Sequence, residues 1–253
     1  MYISIFLGPF SAGAHEDVPL IDLCIEQAID AANSGFCMVT FGEQHFNNYE
    51  PYCNPFMIGA HLAGHLKDAY FATTITTLPL HHPLRLAENI NLLDVLTRGK
   101  LIVGLSAGRV APGFRDFENF GLDPRDRDEI FDSKLDLLLR ALRQEAGDPP
   151  LVMETRWDKG ALGGRMMPIS WRERPVLAIG TNTERTIMQT ARRGWPLFLG
   201  PCSSPEAGRK FQVYRQALVE AGHAGKQQAE CLARSIVARH VVVGETEEEA
   251  WAA

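Results

Sequence analysis

The sequence predicts an α/β fold, a parallel (β/α)8 barrel of the TIM type. Seven short apolar segments without clean polar alternation are each followed by a helical pattern, which is typical of parallel strands buried on both faces. The 253 residues, 45% of them apolar, suffice for one such barrel with a single large core. A doubly wound sheet would also fit, but the first glycine-rich turn, 8–13, lacks the Gly-x-Gly-x-x-Gly pattern of dinucleotide-binding sheets. We therefore prefer the barrel.

The N-terminal half alternates regularly between strands and helices. Tyr2–Leu7 is a β-branched apolar run before a Gly-Pro turn, and apolar side chains in the following Pro19–Asn33 recur at the spacing of one buried helical face. Pro19 suits the first turn of that helix, and Gly35 suits its end. The same reasoning predicts strands at Phe36–Phe41, Ala69–Thr77 and Leu101–Leu105, and helices at Pro83–Thr97 and Asp126–Leu142.

The C-terminal half continues the alternation after an interruption. Gly147–Arg174 is rich in Gly, Pro, Arg and Met and shows no periodicity, so it predicts an insertion that is either a lid or a plain surface loop. Because the chain stops soon after a seventh strand, we expect one domain over residues 1–253, a barrel that lacks its last strand and helix. The predicted elements are strands Val176–Ile179, Pro196–Leu199 and Ser235–Val243, helices Glu184–Arg193 and Pro205–Ala221, and a last helix near Glu245.

Composition and charge exclude several classes of protein. The net charge of -6 and the absence of a long basic run argue against nucleic-acid binding. Five cysteines without a Cys-x-x-Cys pair argue against a disulfide framework or a structural zinc site. No apolar run approaches the roughly 18 residues of a membrane helix, and the N-terminus lacks a signal peptide's positive region. We expect a cytoplasmic protein with no membrane contact.

Polar residues follow the predicted strands, where parallel barrels carry their active sites. His45 lies beside Glu43 and could act as a general acid or base, although a solvated loop histidine would look the same. Ser106, Gly108 and Arg109 follow the fourth strand. The sequence has no Gly-x-Ser-x-Gly or His-Glu-x-x-His motif, which counts against nucleophilic hydrolysis and zinc proteolysis.

Two further clusters admit a binding role and an ordinary one. Gly180, Thr181, Asn182 and Thr183 between a strand and a helix could cradle a phosphate, or could simply cap the helix. Arg109, Arg125 and Arg127 are possible charge partners for such a phosphate. His61 and His65 have the spacing of metal ligands but no third ligand, so we predict a surface pair and no metal site.

Four motifs follow one another along the N-terminal half of the chain. They are Glu43-Gln44-His45-Phe46, the run Leu78–Glu88, Leu92-Leu93-Asp94 with Arg98-Gly99-Lys100, and Gly104–Arg109. Together they resemble the bacterial luciferase-like flavin monooxygenases, and their order and spacing agree with that family, strongly over residues 1–145 and more weakly over 175–200. The resemblance implies the luciferase-like type of (β/α)8 barrel.

The resemblance also implies a reaction and its partners. A homodimer would take reduced FMN from a separate flavin reductase, react it with O2 to a flavin C4a-hydroperoxide, and oxidise a small organic substrate. His45 and Ser106 would be catalytic, Ser106 facing the flavin. The cofactor would be bound by a non-prolyl cis peptide at Thr74-Ile75 beneath the flavin ring, by Ser106, Gly108 and Arg109, and at its phosphate by Gly180, Thr181, Asn182 and Arg127.

The sequence also departs from the luciferase α subunit. That subunit has two consecutive histidines after the glutamate, and Gln44 replaces the first of them here, which counts against aldehyde oxidation with light emission. Ala107 replaces an arginine of luciferase, so phosphate binding would depend on Arg109 or Arg127. Two alternatives therefore stay open: a deazaflavin-dependent oxidoreductase on the same barrel, and a non-catalytic flavin-binding partner subunit.

Overall fold

A computed structural model of the protein describes residues 3–112 and 114–252. The chain forms two compact units, Met1–Leu177 and Ala178–Ala253. Tyr2, the first residue of the first predicted strand, lies outside the described residues, and the single-domain prediction stays a prediction. Within the described ranges, none of the helices combines the length and the apolar character needed to cross a lipid bilayer.

The first unit is built on four parallel strands, each linked to the next through helices. The strands pair in chain order, with Ser4 beside Met38, Met38 beside Tyr70, and Phe71 beside Leu101. Its elements are β1 (Ser4–Phe6), α1 (Ala14–Asn33), β2 (Met38–Phe41), α2 (Pro55–Leu62), β3 (Tyr70–Thr77), α3 (Pro83–Leu96), β4 (Leu101–Ser106), α4 (Asp116–Asn119), α5 (Arg127–Ala141), β5 (Leu151–Glu154) and β6 (Lys159–Leu162).

The core of this unit explains why its strands have no polar alternation. All four residues of β2 are buried, and so are the first five of β4. Both faces of these strands are therefore covered by other parts of the protein, as expected of a parallel sheet. The fully buried side chains on the strands and helices include Phe41, Phe71, Ile102, Leu86, Ile90 and Ile130.

Helix α1 begins earlier than predicted. It starts at Ala14, so Pro19 lies inside the helix and the prediction that Pro19 opens it is wrong. The early start is stabilised by acidic residues of the first turn: the Ala12 N–H donates to Glu16 Oε2 over 2.8 Å, and the Ser11 hydroxyl donates to Asp17 over 2.6 Å.

The insertion contains regular structure that the sequence pattern did not reveal. Strands β5 and β6 form an antiparallel hairpin with Leu151 opposite Leu162. Leu151 and Met153 are buried while the side chains between them face solvent, so the hairpin has the two-residue period of a half-buried strand. Beyond it, the Asn91 amide of α3 donates to Pro168 O over 2.8 Å, and Arg172 Nε donates to Gly99 O over 2.8 Å.

The second unit continues the alternation with three short parallel strands in chain order. Its core contains Ile187, Leu197, Leu199, Tyr214 and Leu218, and the Tyr214 hydroxyl donates to Trp195 O over 2.6 Å. The first unit ends with the first two residues of β7 (Val176–Gly180), and the second unit contains the rest of β7. The elements after β7 are α6 (Glu184–Arg192), β8 (Leu197–Leu199), α7 (Ser204–Glu220), α8 (Gly225–Ala233), β9 (Ile236–Val237) and α9 (Glu247–Ala252).

The last strand is much shorter than predicted. Only Ile236–Val237 pairs with β8, although the predicted strand extends to Val243. Strand β8 has three residues and offers no further backbone to pair with, so Val243 stays 89% exposed. Helix α8 was not predicted, because its sequence is polar and short.

We expect core packing in α3 to dominate its contribution to stability. Leu86 is fully buried and Leu92, on the same helix, is 50% exposed. Leu86→Ala should lower the free energy of unfolding by about 2–5 kcal/mol, because it removes buried methyl groups and leaves a cavity. Leu92→Ala should change it by only about 0.5 kcal/mol. Urea denaturation of both variants measures this, and equal losses would contradict the packing described.

Candidate active site

A buried carboxylate, Glu43, organises the strand ends of the first unit. It follows β2, and its side chain is only 2% exposed. Its Oε1 lies 2.9 Å from Nε2 of His45 and 2.8 Å from Nε2 of His81, and its Oε2 accepts the Thr77 N–H over 2.8 Å. Thr77 ends β3, and His81 follows a short 3-10 turn after it. One carboxylate thus joins the ends of two strands.

The electrostatics of Glu43 fix the hydrogens on both imidazoles. Burial alone would raise its pKa, but the charge of His81 and hydrogen bonds from His45, His81 and Thr77 lower the pKa to about 2. Because an ionised carboxylate only accepts hydrogen bonds, both Nε2 atoms must donate. Each Nδ1 atom then has no hydrogen-bond partner in the described part of the chain, which leaves it available to a ligand.

Aromatic rings surround His45. Its ring meets Phe120 edge-on with centroids 4.9 Å apart, and Phe46 lies next to both rings and is 80% exposed. Phe6 and Phe10, at the end of β1 and in the loop after it, are also exposed. Phe41, at the end of β2, is instead fully buried and stacks on Phe71.

The Thr74-Ile75 peptide bond is cis, as the resemblance implies. The pairing of β3 with β4 shifts register across these two residues. The Thr74 hydroxyl oxygen is buried and has no hydrogen-bond partner among the described residues. An unpartnered hydroxyl on β3 fits a ligand with polar ring atoms, which an isoalloxazine has.

Ser106 lies next to the cluster, whereas the predicted arginines do not converge on it. Ser106 is the register partner of Thr77, and its hydroxyl accepts the N–H of Gly108 over 3.1 Å. Arg109 lies over the ring of Phe114 at 4.6 Å. Arg127 begins α5 and approaches Asp128 at 3.4 Å, while Arg125 forms a short ion pair with Asp123.

The second unit carries the predicted phosphate loop. The Thr181 N–H donates to Phe198 O over 3.0 Å, and the Thr183 N–H donates to the Thr181 hydroxyl over 3.0 Å. Thr183 is the N-cap of α6, but its side chain caps no backbone N–H. The Asn182 amide lies against Gly200. The turn is locally ordered, and the first-turn N–H groups of α6 remain without a side-chain cap.

Sequence reasoning missed a second buried acid, Glu50. Its carboxyl packs against the backbone of Gly8 and Gly42, and its Oε2 has no hydrogen-bond partner among the described residues. Burial and the nearby charge of Glu43 raise the pKa of Glu50 to about 8. Glu50 also has a positive φ of 53°. No sequence pattern announces such a residue, because glutamate is ordinarily exposed.

His81 was also missed as a partner of Glu43. The sequence placed it at a strand end, but it lies 38 residues from Glu43, and only the fold brings the two together. The His61 and His65 rings lie 6.1 Å apart. No group of three or more metal-ligating side chains occurs within residues 3–112 and 114–252.

Comparisons with known proteins give the family of the chain. A family model described as "Luciferase-like monooxygenase" matches residues 1–253. An uncharacterized protein, y4vJ, of Sinorhizobium fredii is 29% identical over 208 residues, which cover 79% of this chain and 55% of that protein. The alkanal monooxygenase alpha chain of the Kryptophanaron alfredi symbiont is 26% identical over 75% of this chain and 51% of its own. The chain thus spans about half the length of these curated relatives.

A solved structure identifies the fold. The oxygenating constituent of 3,6-diketocamphane monooxygenase from Pseudomonas putida, in complex with FMN, superposes with a TM-score of 0.83. The superposition covers 98% of this chain and 69% of that one, at 19% sequence identity. The predicted fold class, the luciferase-like type of α/β barrel, is confirmed.

Glu50 should make the protein's stability depend on pH. Between about pH 4.3, the ordinary glutamate value, and about pH 8, unfolded Glu50 has lost its proton while folded Glu50 keeps it. The folded state then binds more protons, so the free energy of unfolding falls as pH rises through this window. Glu50→Gln should remove that part of the decline.

Urea denaturation at pH 5, 6, 7 and 8 measures this effect. Glu26→Gln, at an exposed position of α1, is the matched control and should follow the wild-type curve. Parallel curves for wild type and Glu50→Gln would mean that Glu50 is not held as a neutral acid.

Proposed function

The chain belongs to the luciferase-like monooxygenase family, and we propose that it is the oxygenase of an FMN-dependent, two-component monooxygenase. In this proposal a separate reductase supplies reduced FMN, and the enzyme, a cytoplasmic homodimer, uses O2 to oxidise a small organic substrate. The observation that carries the proposal is the buried Glu43 carboxylate, which holds the imidazoles of His45 and His81 and the Thr77 N–H.

The first unit supplies groups that suit a flavin ring. Reduced FMN, when bound, supplies the chemistry that activates oxygen. We propose that Thr74 and Ile75 support the ring, that the unpartnered Thr74 hydroxyl binds one of its polar atoms, and that Ser106 and Gly108 face it. Arg109 and Arg127 stay predicted charge partners.

In the second unit, the turn before α6 suits a phosphate. The helix N-terminus carries a partial positive charge, and Thr183 leaves its N–H groups uncapped. We propose that Gly180, Thr181 and Asn182 hold the FMN phosphate there. A cofactor without a phosphate group should accordingly bind more weakly.

His45 is proposed as the proton-transfer group. Glu43 holds the hydrogen on Nε2, so the basic nitrogen that faces a ligand is Nδ1. The rings of Phe46 and Phe120 contact the imidazole, whose side chain is 16% exposed.

The cofactor is tested first, by anaerobic titration with reduced FMN followed by rapid mixing with oxygenated buffer. We expect saturable binding, tighter than that of reduced riboflavin, and a long-lived oxygenated flavin absorbance. Binding of a reduced deazaflavin instead, with hydride transfer and no O2 uptake, would make the protein a dehydrogenase. Flavin binding without oxidation of any substrate would favour a non-catalytic partner subunit.

The test of His45 needs a substrate. A substrate is recognised because it accelerates the decay of the oxygenated flavin. His45→Ala should lower the rate of substrate oxidation by about 100-fold or more, because it removes a positioned acid or base. His61→Ala, at an exposed histidine of α2, is the control and should behave as wild type. Product yield per reduced flavin measures the effect, and unchanged coupling in His45→Ala would exclude this residue from the mechanism.

A further inference from the structure

The tip of the β5–β6 hairpin forms a tight turn with a buried carboxylate. The Thr155 N–H donates to Asp158 O over 3.0 Å, and the Thr155 hydroxyl accepts the Asp158 N–H over 2.9 Å. These bonds orient the Asp158 side chain, which is only 2% exposed. Its Oδ1 lies 3.5 Å from Lys134 Nζ, while its Oδ2 is buried without a hydrogen-bond partner in the described residues.

Lys134 is an unusual residue on the buried face of α5. Its side chain is 7% exposed and lies in the same stripe as Ile130, Leu137 and Leu138. Burial lowers the pKa of Lys134, and Asp158 opposes that change. Burying a lysine and an aspartate removes both from water, a cost that their attraction often does not recover. Apolar residues at both positions would avoid that cost, whereas an apolar residue at Lys134 alone would leave Asp158 buried without its partner.

Lys134 contacts the histidine cluster through the backbone of His81. Its ammonium group donates to the backbone carbonyl of His81 over 2.7 Å. That carbonyl belongs to the residue whose Nε2 binds Glu43, and the same Glu43 oxygen binds His45. The contacts therefore form one continuous series from Asp158 through Lys134, His81 and Glu43 to His45.

We propose that Lys134, held by Asp158, is a positioning residue that orients His81 and, through Glu43, His45. The insertion then acts as a clamp on the histidine cluster, in place of the lid considered from the sequence. This inference deepens the proposed function and rests on it for its catalytic meaning. The clamp itself is a property of the folded chain and can be observed without flavin.

The clamp explains why charged groups occupy this buried position. A carbonyl oxygen at the end of the 3-10 turn needs a donor, and the long lysine side chain reaches it from α5. A donor at the end of a flexible chain needs a fixed counter-charge, which the closed Thr155–Asp158 turn provides. The exposed Arg156–Asp126 pair, only two residues from Asp158, ties the same hairpin to the chain without reaching His81.

The test compares Lys134→Met with Arg156→Gln in the full chain without cofactor. Proton–nitrogen correlation spectra of the imidazoles report which ring nitrogen carries hydrogen. We expect wild type and Arg156→Gln to show His81 and His45 as Nε2–H donors. Lys134→Met should shift the His81 signals and, to a smaller extent, those of His45, and its melting temperature should fall, because Asp158 and the His81 carbonyl lose their common partner. Unchanged His81 signals in Lys134→Met, or the same shift in Arg156→Gln, would overturn the proposal.

Two further variants guard against a folding defect. Asp158→Asn keeps the shape of the turn and should shift the His81 signals in the same direction as Lys134→Met. Lys134→Arg keeps a donor for the carbonyl and should restore most of the wild-type spectrum. If Asp158→Asn folds and leaves the His81 signals unmoved, the clamp is wrong.

A kinetic measurement separates this inference from the proposed function. With a substrate in hand, Lys134→Met should lower kcat about tenfold with little change in KM, and Lys134→Arg should recover most of it. Shifted imidazole signals in a protein that binds no reduced flavin would refute the proposed function and leave the clamp standing. Normal flavin chemistry in the wild type, together with unchanged imidazole signals in Lys134→Met, would refute the clamp and leave the proposed function standing.

Discussion

The first unit depends on one interaction, the acceptance of three hydrogen bonds by the buried Glu43 carboxylate. The donors come from the loop after β2, from the last residue of β3 and from the 3-10 turn beyond it. A buried carboxylate without such donors would take up a proton, and the two imidazoles would lose their common anchor. The arrangement of His45, His81 and Thr77 is therefore a condition for keeping this charge inside the protein.

Two neighbouring acids are held in opposite states by their surroundings. Glu43 has three donors and stays ionised, whereas Glu50 has no partner for one oxygen and holds its proton. Each state supports the other, because the charge on Glu43 raises the pKa of Glu50. Pairs of acids whose pKa values are shifted in opposite directions are typical of active sites. The surroundings keep one acid ionised and the other protonated.

The sequence predicted what depends on local pattern. Apolar periodicity placed all seven parallel strands and most helices, and His45 was found because it stands two residues from Glu43. His81 and Lys134 could not be assigned, since their partners lie 38 and 53 residues away along the chain. The hairpin was missed because two four-residue strands give too little alternation, and β9 was overestimated because its length is set by β8.

Because Glu50 packs closely on Gly42, we expect these two positions to covary in evolution. A β-carbon on Gly42 would lie 2.6 Å from Glu50 Oε1, so no larger residue fits while the carboxyl occupies that space. In homologous chains we therefore expect glycine at position 42 wherever position 50 carries a long acidic side chain. Larger residues should occur at position 42 only where the residue at position 50 is small. Anyone who transplants this loop into another barrel must move both residues together.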